Sequence, residues 1–347
     1  MTDLIYNFIN GKSIALQWIL FLGITMIGFI CLIKFADIFV DSASNLAKIF
    51  KIPAIVVGLT IVAFGTSAPE ASVSIMATIN GSSGISVGNI VGSNIFNLFL
   101  ILASSALIAP VAIKRYLVKR DLTIMLVSSL MLIVFTFLFG ANGKNAFVWY
   151  EGLIFLIVFI LYLIIMIRKE LKQAKIKMHV VSEEYVKEEF GKPKNVWITL
   201  LLIVVSLLGI VVGGTLSVAG AKGIVVNIGA SDTLAGLTVC AIGTSLPELV
   251  TSVVAMKKGE NDIAVGNVVG SNIFNIMLIL GISSMIAPLV LNTFAVIDMI
   301  IMAILYAIFM IYAIFKKELN KKMAIIMLVL YIIYFAFIMV REYVPII

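Results

Sequence analysis

Two glutamates, Glu70 and Glu248, stand inside otherwise apolar segments, each closing the same pattern: Gly65-Thr66-Ser67-Ala68-Pro69-Glu70 and Gly243-Thr244-Ser245-Leu246-Pro247-Glu248. An ionisable residue near the middle of a membrane-crossing helix costs about 2.5–3.5 kcal/mol, so it faces a cavity or a partner. No lysine or arginine lies in either surrounding core, the nearest being Lys257 and Lys258 at a helix end. A diffusible cation is the natural counter-charge, and two carboxylates carry the charge that one divalent ion needs. Pro69 and Pro247 have no amide proton, so the carbonyls of Gly65 and Gly243 lose their helical bonds. Carbonyls freed at that depth are tolerated where they line a cavity, and beside a carboxylate they offer the oxygen that a hard cation takes. Thr66 and Glu70 share a helix face, as do Ser93 and Asn97 on the next segment. The expected site is all oxygen, with no sulfur or imidazole to attract zinc or copper.

These clusters belong to a longer repeat. Gly58 to Pro110 recurs at Gly236 to Pro288, offset by 178 positions without a gap, with 30 of 53 positions identical. The second shared block is Gly88-Asn89-x-Val91-Gly92-Ser93-Asn94-Ile95-Phe96-Asn97 against Gly266-Asn267-x-Val269-Gly270-Ser271-Asn272-Ile273-Phe274-Asn275. Its glycines also have the spacing of close helix packing, and Ser72, Ser74 and Ser252 read as packing residues. Two matched polar clusters point to one site built from two halves.

The elements that must position such a site are membrane spans. Hydrophobic residues make up 62%, charged residues 12%, and mean hydropathy is +1.18. Apolar runs of spanning length fall near 16–40, 53–79, 84–109, 121–140, 147–167, 196–221, 233–256, 262–288, 293–315 and 321–341. The expected fold is an all-α polytopic membrane protein: ten transmembrane helices in two five-helix halves, 1–167 and 196–347, joined by a linker at 168–195. Equivalent spans are five crossings apart, an odd number, so the second half is inverted relative to the first, as in many secondary transporters. Lys and Arg in the loops divide 20 against 4, which puts the linker in the cytoplasm and both termini outside. The net charge of +7 then answers anionic headgroups and calls for no nucleic-acid partner. No removable signal peptide is expected at the N-terminus. Cys31 and Cys240 read as small hydrophobes, and His179 as a solvated linker residue. Lys34, Asp37 and Asp41 suggest a local salt bridge on one helix face. Asp121, Glu151 and Asp298 lie near helix ends, where they would reach interfacial water.

The paired blocks resemble the alpha-1 and alpha-2 repeats of the cation/calcium antiporters, and within them the sodium/calcium exchangers, including the prokaryotic type. The resemblance implies an antiporter of the plasma (inner) membrane, exchanging several Na+ for one Ca2+ by alternating access, with the first and sixth spans sliding as a gate. It also implies a ligand set. Glu70 and Glu248 would hold Ca2+ and also face Na+. Thr66 and Thr244 would supply main-chain and hydroxyl oxygens, Ala63 and Ala241 carbonyls, and Ser67 and Ser245 hydroxyls. Ser93 and Ser271 would ligate Na+, while Asn97 and Asn275 complete the centre. Asparagine at both central positions, and Gly92 and Gly270 where proton-coupled relatives carry an acid, favour Na+ over H+ or K+ coupling. A Ca2+/H+ or K+-dependent exchanger is the alternative within the class, and a cation channel the alternative outside it. An enzyme is not expected, since no nucleophile and base stand near the glutamates. No cofactor or protein partner is implied; the partners are Ca2+, Na+ and the lipid bilayer.

Overall fold

The computed structural model describes residues 4–5, 8–9, 11–138, 145–180, 195–227 and 241–343, with side chains at all of these but 173–180, 225, 241 and 342–343. Hydrocarbon offers no partner to a bare backbone group, so apolar runs of this length close their hydrogen bonds internally as helices. The first half contains α1 (Ile14–Phe50), α2 (Ala54–Thr66), α3 (Ala68–Ile79), α4 (Ser83–Ile108), α5 (Leu117–Leu138) and α6 (Trp149–Val180). The second contains α7 (Val196–Asn227), α8 (Ala241–Thr244), α9 (Leu246–Lys257), α10 (Asn261–Ile286), α11 (Thr293–Phe315) and α12 (Lys321–Tyr343). Among the described residues eight helices are long and apolar enough to span a membrane, or nine if α2 and α3, bent by 48°, form one broken span. Part of the remaining expected span, 233–256, lies outside the described residues, as do Cys240 and the side chain of His179. The start of the expected linker continues α6 as helix.

The fold is mostly helical, as expected, with two short additions: β1 (Val111–Ala112) pairs with β4 (Glu318–Leu319), and β2 (Ala146–Phe147) with β3 (Leu289–Val290), each a two-residue antiparallel link between a loop of one half and a loop of the other. Three expectations need correction. The first helix does not end at 40 but runs to Phe50, closed by Lys51 at φ 53°. Its last turns stay helical because their polar groups find distant partners. Asp37 and Asp41 pair with Lys258 at 2.9 and 2.7 Å, not with the neighbouring Lys34. Ser44 donates to Glu260 at 2.6 Å and Asn45 to Thr199 at 2.6 Å. Asp121, Glu151 and Asp298 do not reach interfacial water; all three are buried. Arg120 and Tyr162 engage Asp121 at 2.7 and 2.8 Å, Arg341 grips Asp298 through both oxygens, and Glu151 accepts the Val148 N–H. A buried charge persists when a partner meets it, and the two aspartates have arginines.

The centre of the molecule is α4 and α10, buried along 78% and 94% of their most apolar stretches against 17% for α12. Against this centre lie α2–α3 and α8–α9, while α1 and α7 pack along each other at one side. Gly213 allows that approach: a Cβ there would stand 2.8 Å from the Leu32 amide nitrogen and 2.9 Å from the Gly28 carbonyl.

Candidate functional site

Both proline motifs break their helices at the serine. Ser67 (φ −80°, ψ 7°) separates α2 from α3, and Ser245 (φ −90°, ψ 4°) separates α8 from α9. Each proline falls in the first turn of the following helix, where its missing N–H costs nothing, and each glutamate one position later. Asn97 and Asn275 in turn open matched π-helical turns, Asn97–Ile101 and Asn275–Ile279, in the middle of α4 and α10. Such turns concentrate at functional positions.

The two halves meet through bonds that come in exchanged pairs. Ser67 Oγ donates to Glu248 Oε1 at 3.0 Å, and Ser245 Oγ lies 2.9 Å from Glu70 Oε1. Thr66 Oγ1 is 2.9 Å from Asn267 Oδ1, and Thr244 Oγ1 is 3.4 Å from Asn89 Oδ1. Asn97 Nδ2 donates to Asn272 Oδ1 at 3.1 Å, and Asn275 Nδ2 to Asn94 Oδ1 at 3.0 Å. Adding or subtracting the 178-residue offset turns each bond into its twin, the mark of a two-fold relation. Ser93 joins the set through a 3.0 Å contact with the Ser245 hydroxyl.

Of the expected ligands, Glu70, Glu248, Ser67, Ser245, Thr66, Ser93, Ser271, Asn97 and Asn275 are buried, and Thr244 nearly as deeply. The Ala63 carbonyl accepts the Ser67 N–H at 3.0 Å, and the Thr66 hydroxyl lies 3.4 Å from the same oxygen. Ala241 opens α8, and its side chain lies outside the described residues. Glu70 Oε2, Glu248 Oε2, Asn97 Oδ1, Asn275 Oδ1 and Ser271 Oγ are all buried without a hydrogen-bond partner. Buried polar atoms are paired in the great majority of cases, and five of the twelve such orphans among the described residues belong to this ligand set. Four are pure acceptors. None of the ion pairs among the described residues involves either glutamate. The arrangement can take up a bare cation through oxygen alone.

Four further asparagines take part that the ligand set omits. Asn89 and Asn267 donate to Ser74 and Ser252 at 3.0 and 2.9 Å and, through their Oδ1 atoms, meet the threonines of the opposite half. Ser74 and Ser252 therefore anchor these amides besides packing. Asn94 and Asn272 bridge α4 and α10 directly. The signal was present in the sequence, since all four are identical between the repeats.

The family model described as sodium/calcium exchanger protein matches residues 20–168 and 198–340. The chain is 36% identical to the sodium/calcium exchanger MaX1 of Methanosarcina acetivorans over 298 residues, 77% of this chain and 83% of that one. It is 34% identical over 315 residues to the uncharacterized membrane protein MJ0091 of Methanocaldococcus jannaschii, 91% of this chain and 97% of that one. Its fold is similar to the sodium-calcium exchanger NCX_Mj soaked with Na+ and Sr2+, at a TM-score of 0.77 and 32% identity, covering 92% of this chain and 98% of that one. With both repeats inside the matched regions and the paired sites facing each other across the centre, the chain belongs to the sodium/calcium exchanger family.

Proposed function

We propose that the chain exchanges Na+ for Ca2+ across the plasma membrane by alternating access, and that Glu70, Glu248, Thr66, Thr244, Ser67, Ser245, Ala63, Ala241, Ser93, Ser271, Asn97 and Asn275 take the ions. Both ions are cargo, and no chemical conversion is involved. The observation that carries this reading is the pair of half-satisfied carboxylates. Each glutamate has one oxygen held by a serine of the other half and one oxygen without a donor. A divalent ion between the halves supplies both missing charges at once. Ca2+ takes about six to eight oxygens in flexible geometry, and two carboxylates among neutral amide and hydroxyl oxygens meet that demand. Na+ ions draw on the same oxygens, so one cargo excludes the other and the two fluxes are coupled. If one net charge moves per cycle, a potential of 100 mV contributes about 2.3 kcal/mol.

Ten crossings in two inverted halves accord with the strand pairs. With β2 lying against β3, an even number of crossings between them fits; α6, α7 and α10 are three helices of spanning length, and the segment containing α8 and α9 is proposed as the fourth. The loop charges assign the β1–β4 pair, beside Lys114, Lys316 and Lys317, to the cytoplasm together with the 168–195 linker, and both termini to the outside.

The test is 45Ca2+ uptake into vesicles holding the purified protein under imposed Na+, K+ or proton gradients. An outward Na+ gradient alone should drive uptake, without K+ and with ΔpH collapsed by an ionophore. Uptake that requires K+, or that follows a pH gradient without Na+, would assign a different coupling ion to the same two-glutamate site.

A further inference from the structure

We propose that Asn94 and Asn272 are positioning residues that set the polarity of the ion site, holding the Asn97 and Asn275 amides so that only their carbonyl oxygens face the cargo. This rests on Asn97 and Asn275 belonging to the site. An asparagine amide has a donor end and an acceptor end of nearly the same shape. A donor end turned toward a cation would repel it. Four bonds remove the choice. Asn94 Nδ2 donates to the backbone carbonyl of Asn272 at 3.3 Å, and Asn272 Nδ2 to that of Asn94 at 3.2 Å. A backbone carbonyl only accepts, so the amide end that meets it is the NH2. The Oδ1 atoms of Asn94 and Asn272 are thereby turned the other way, where they accept from Asn275 Nδ2 at 3.0 Å and Asn97 Nδ2 at 3.1 Å. With those nitrogens committed, Asn97 Oδ1 and Asn275 Oδ1 remain as buried acceptors without a donor. The orientation of each ligand oxygen is dictated by a main-chain carbonyl two links away, and the amide that directly holds it belongs to the other half. All four side chains are fully buried, so no bulk water competes for these bonds.

Double-mutant cycles test this on the full chain in vesicles, with the half-saturating Ca2+ concentration and the maximal rate of Na+-driven 45Ca2+ uptake read separately. If Asn272 acts through Asn97, Asn272→Ala raises half-saturating Ca2+ about 5- to 10-fold, the size of one hydrogen bond. Asn272→Ala should then add nothing beyond about 2-fold to Asn97→Ala, while its effect multiplies with that of Asn275→Ala. Asn94→Ala should do the reverse, silent on Asn275→Ala and multiplying with Asn97→Ala. Multiplication in all four combinations overturns the proposal, as does a fall in maximal rate with half-saturation unmoved, which is what a merely structural role produces. If Asn97→Ala and Asn275→Ala themselves change neither parameter, the site assignment fails instead. Should an alanine variant not be recovered as monodisperse protein, Asn272→Ser and Asn94→Ser replace it under the same criteria.

Discussion

A carboxylate that accepts one serine hydroxyl is held in place without being neutralised, and that distinction governs what a substitution at Glu70 or Glu248 should do. Glutamine keeps the shape and one acceptor oxygen for Ser245 or Ser67 while removing half of the counter-charge. Removing one partner of a buried ion pair costs about 3 kcal/mol or more, which is roughly a 100-fold loss of Ca2+ occupancy. Glu70→Gln and Glu248→Gln should each reduce Na+-driven 45Ca2+ flux to background in vesicles, with expression and detergent elution profile unchanged; near-normal flux in either variant would sink the two-glutamate site. At this scale the sequence was informative wherever the residue type itself is costly in a membrane. Two carboxylates without cationic neighbours, repeated at a fixed offset, have few explanations. Asn94, Asn272, Asn89 and Asn267 were harder to read, because an amide's role depends on which atom faces it, and those partners lie more than 140 positions away or across a helix pair. The same non-locality misdirected the reading of Asp37 and Asp41, whose lysine comes from the α9–α10 turn instead of the same helix face.

Helix contacts decide how α1 and α7 can move against the centre, and two neighbouring glycines of α7 make the point separable. A methyl group at Gly213 would press on backbone atoms of α1, the Leu32 nitrogen at 2.8 Å and the Gly28 oxygen at 2.9 Å, so the helices must part. At Gly214 the nearest atom is Pro247 Cγ at 3.6 Å, an ordinary contact. Overpacking of this kind costs typically 1–3 kcal/mol, whereas alanine gains about 1 kcal/mol over glycine in a helix interior. Gly213→Ala should therefore lower the melting temperature in detergent and Gly214→Ala should leave it level or raise it; equal effects would deny the close α1–α7 approach. At its C-terminal end α1 is tied down by Lys258, whose ammonium is held above the ordinary lysine range: partial burial opposes the charge, and Asp41 and Asp37 outweigh it. Both aspartates are more than half exposed, so screening keeps the contribution at about 1 kcal/mol or less. Lys258→Ala should speed amide hydrogen exchange over residues 37–44 without unfolding the rest, and the combined Lys258→Ala, Asp37→Asn and Asp41→Asn variant should exchange no faster. Hydropathy had ended this helix too early because it treats charge as a boundary, whereas a helix continues as long as its polar side chains are met.

For the molecule as a whole, the strand pairs and the loop charges are independent reports on one arrangement. Pairing β1 with β4 requires the loops after α4 and α11 to share a membrane face, and pairing β2 with β3 requires the same of the loops after α5 and α10. A single crossing, α5, separates β1 from β2, so the two pairs lie on opposite faces. The basic residues collect around the first pair, at Lys114, Arg115, Lys316 and Lys317, which is the ground for proposing that this pair faces the cytoplasm. The helical spans among the described residues and the repeat were legible in the sequence because hydrophobic length and self-similarity are properties of the chain itself. The strand pairs were not, since two residues carry too little pattern to announce a strand. Cysteine accessibility decides the assignment, in a background with Cys31 and Cys240 replaced by alanine. Lys316 is exposed beside β4, and Val290 is 41% exposed on β3. Val290→Cys should react with an impermeant thiol reagent on intact cells, while Lys316→Cys should react only after the membrane is opened. The reverse pattern would invert the protein in the membrane and leave the fold standing. Labelling of both from the same side would contradict the crossing between the two pairs, and with it the inverted arrangement of the halves on which the two-fold ion site depends.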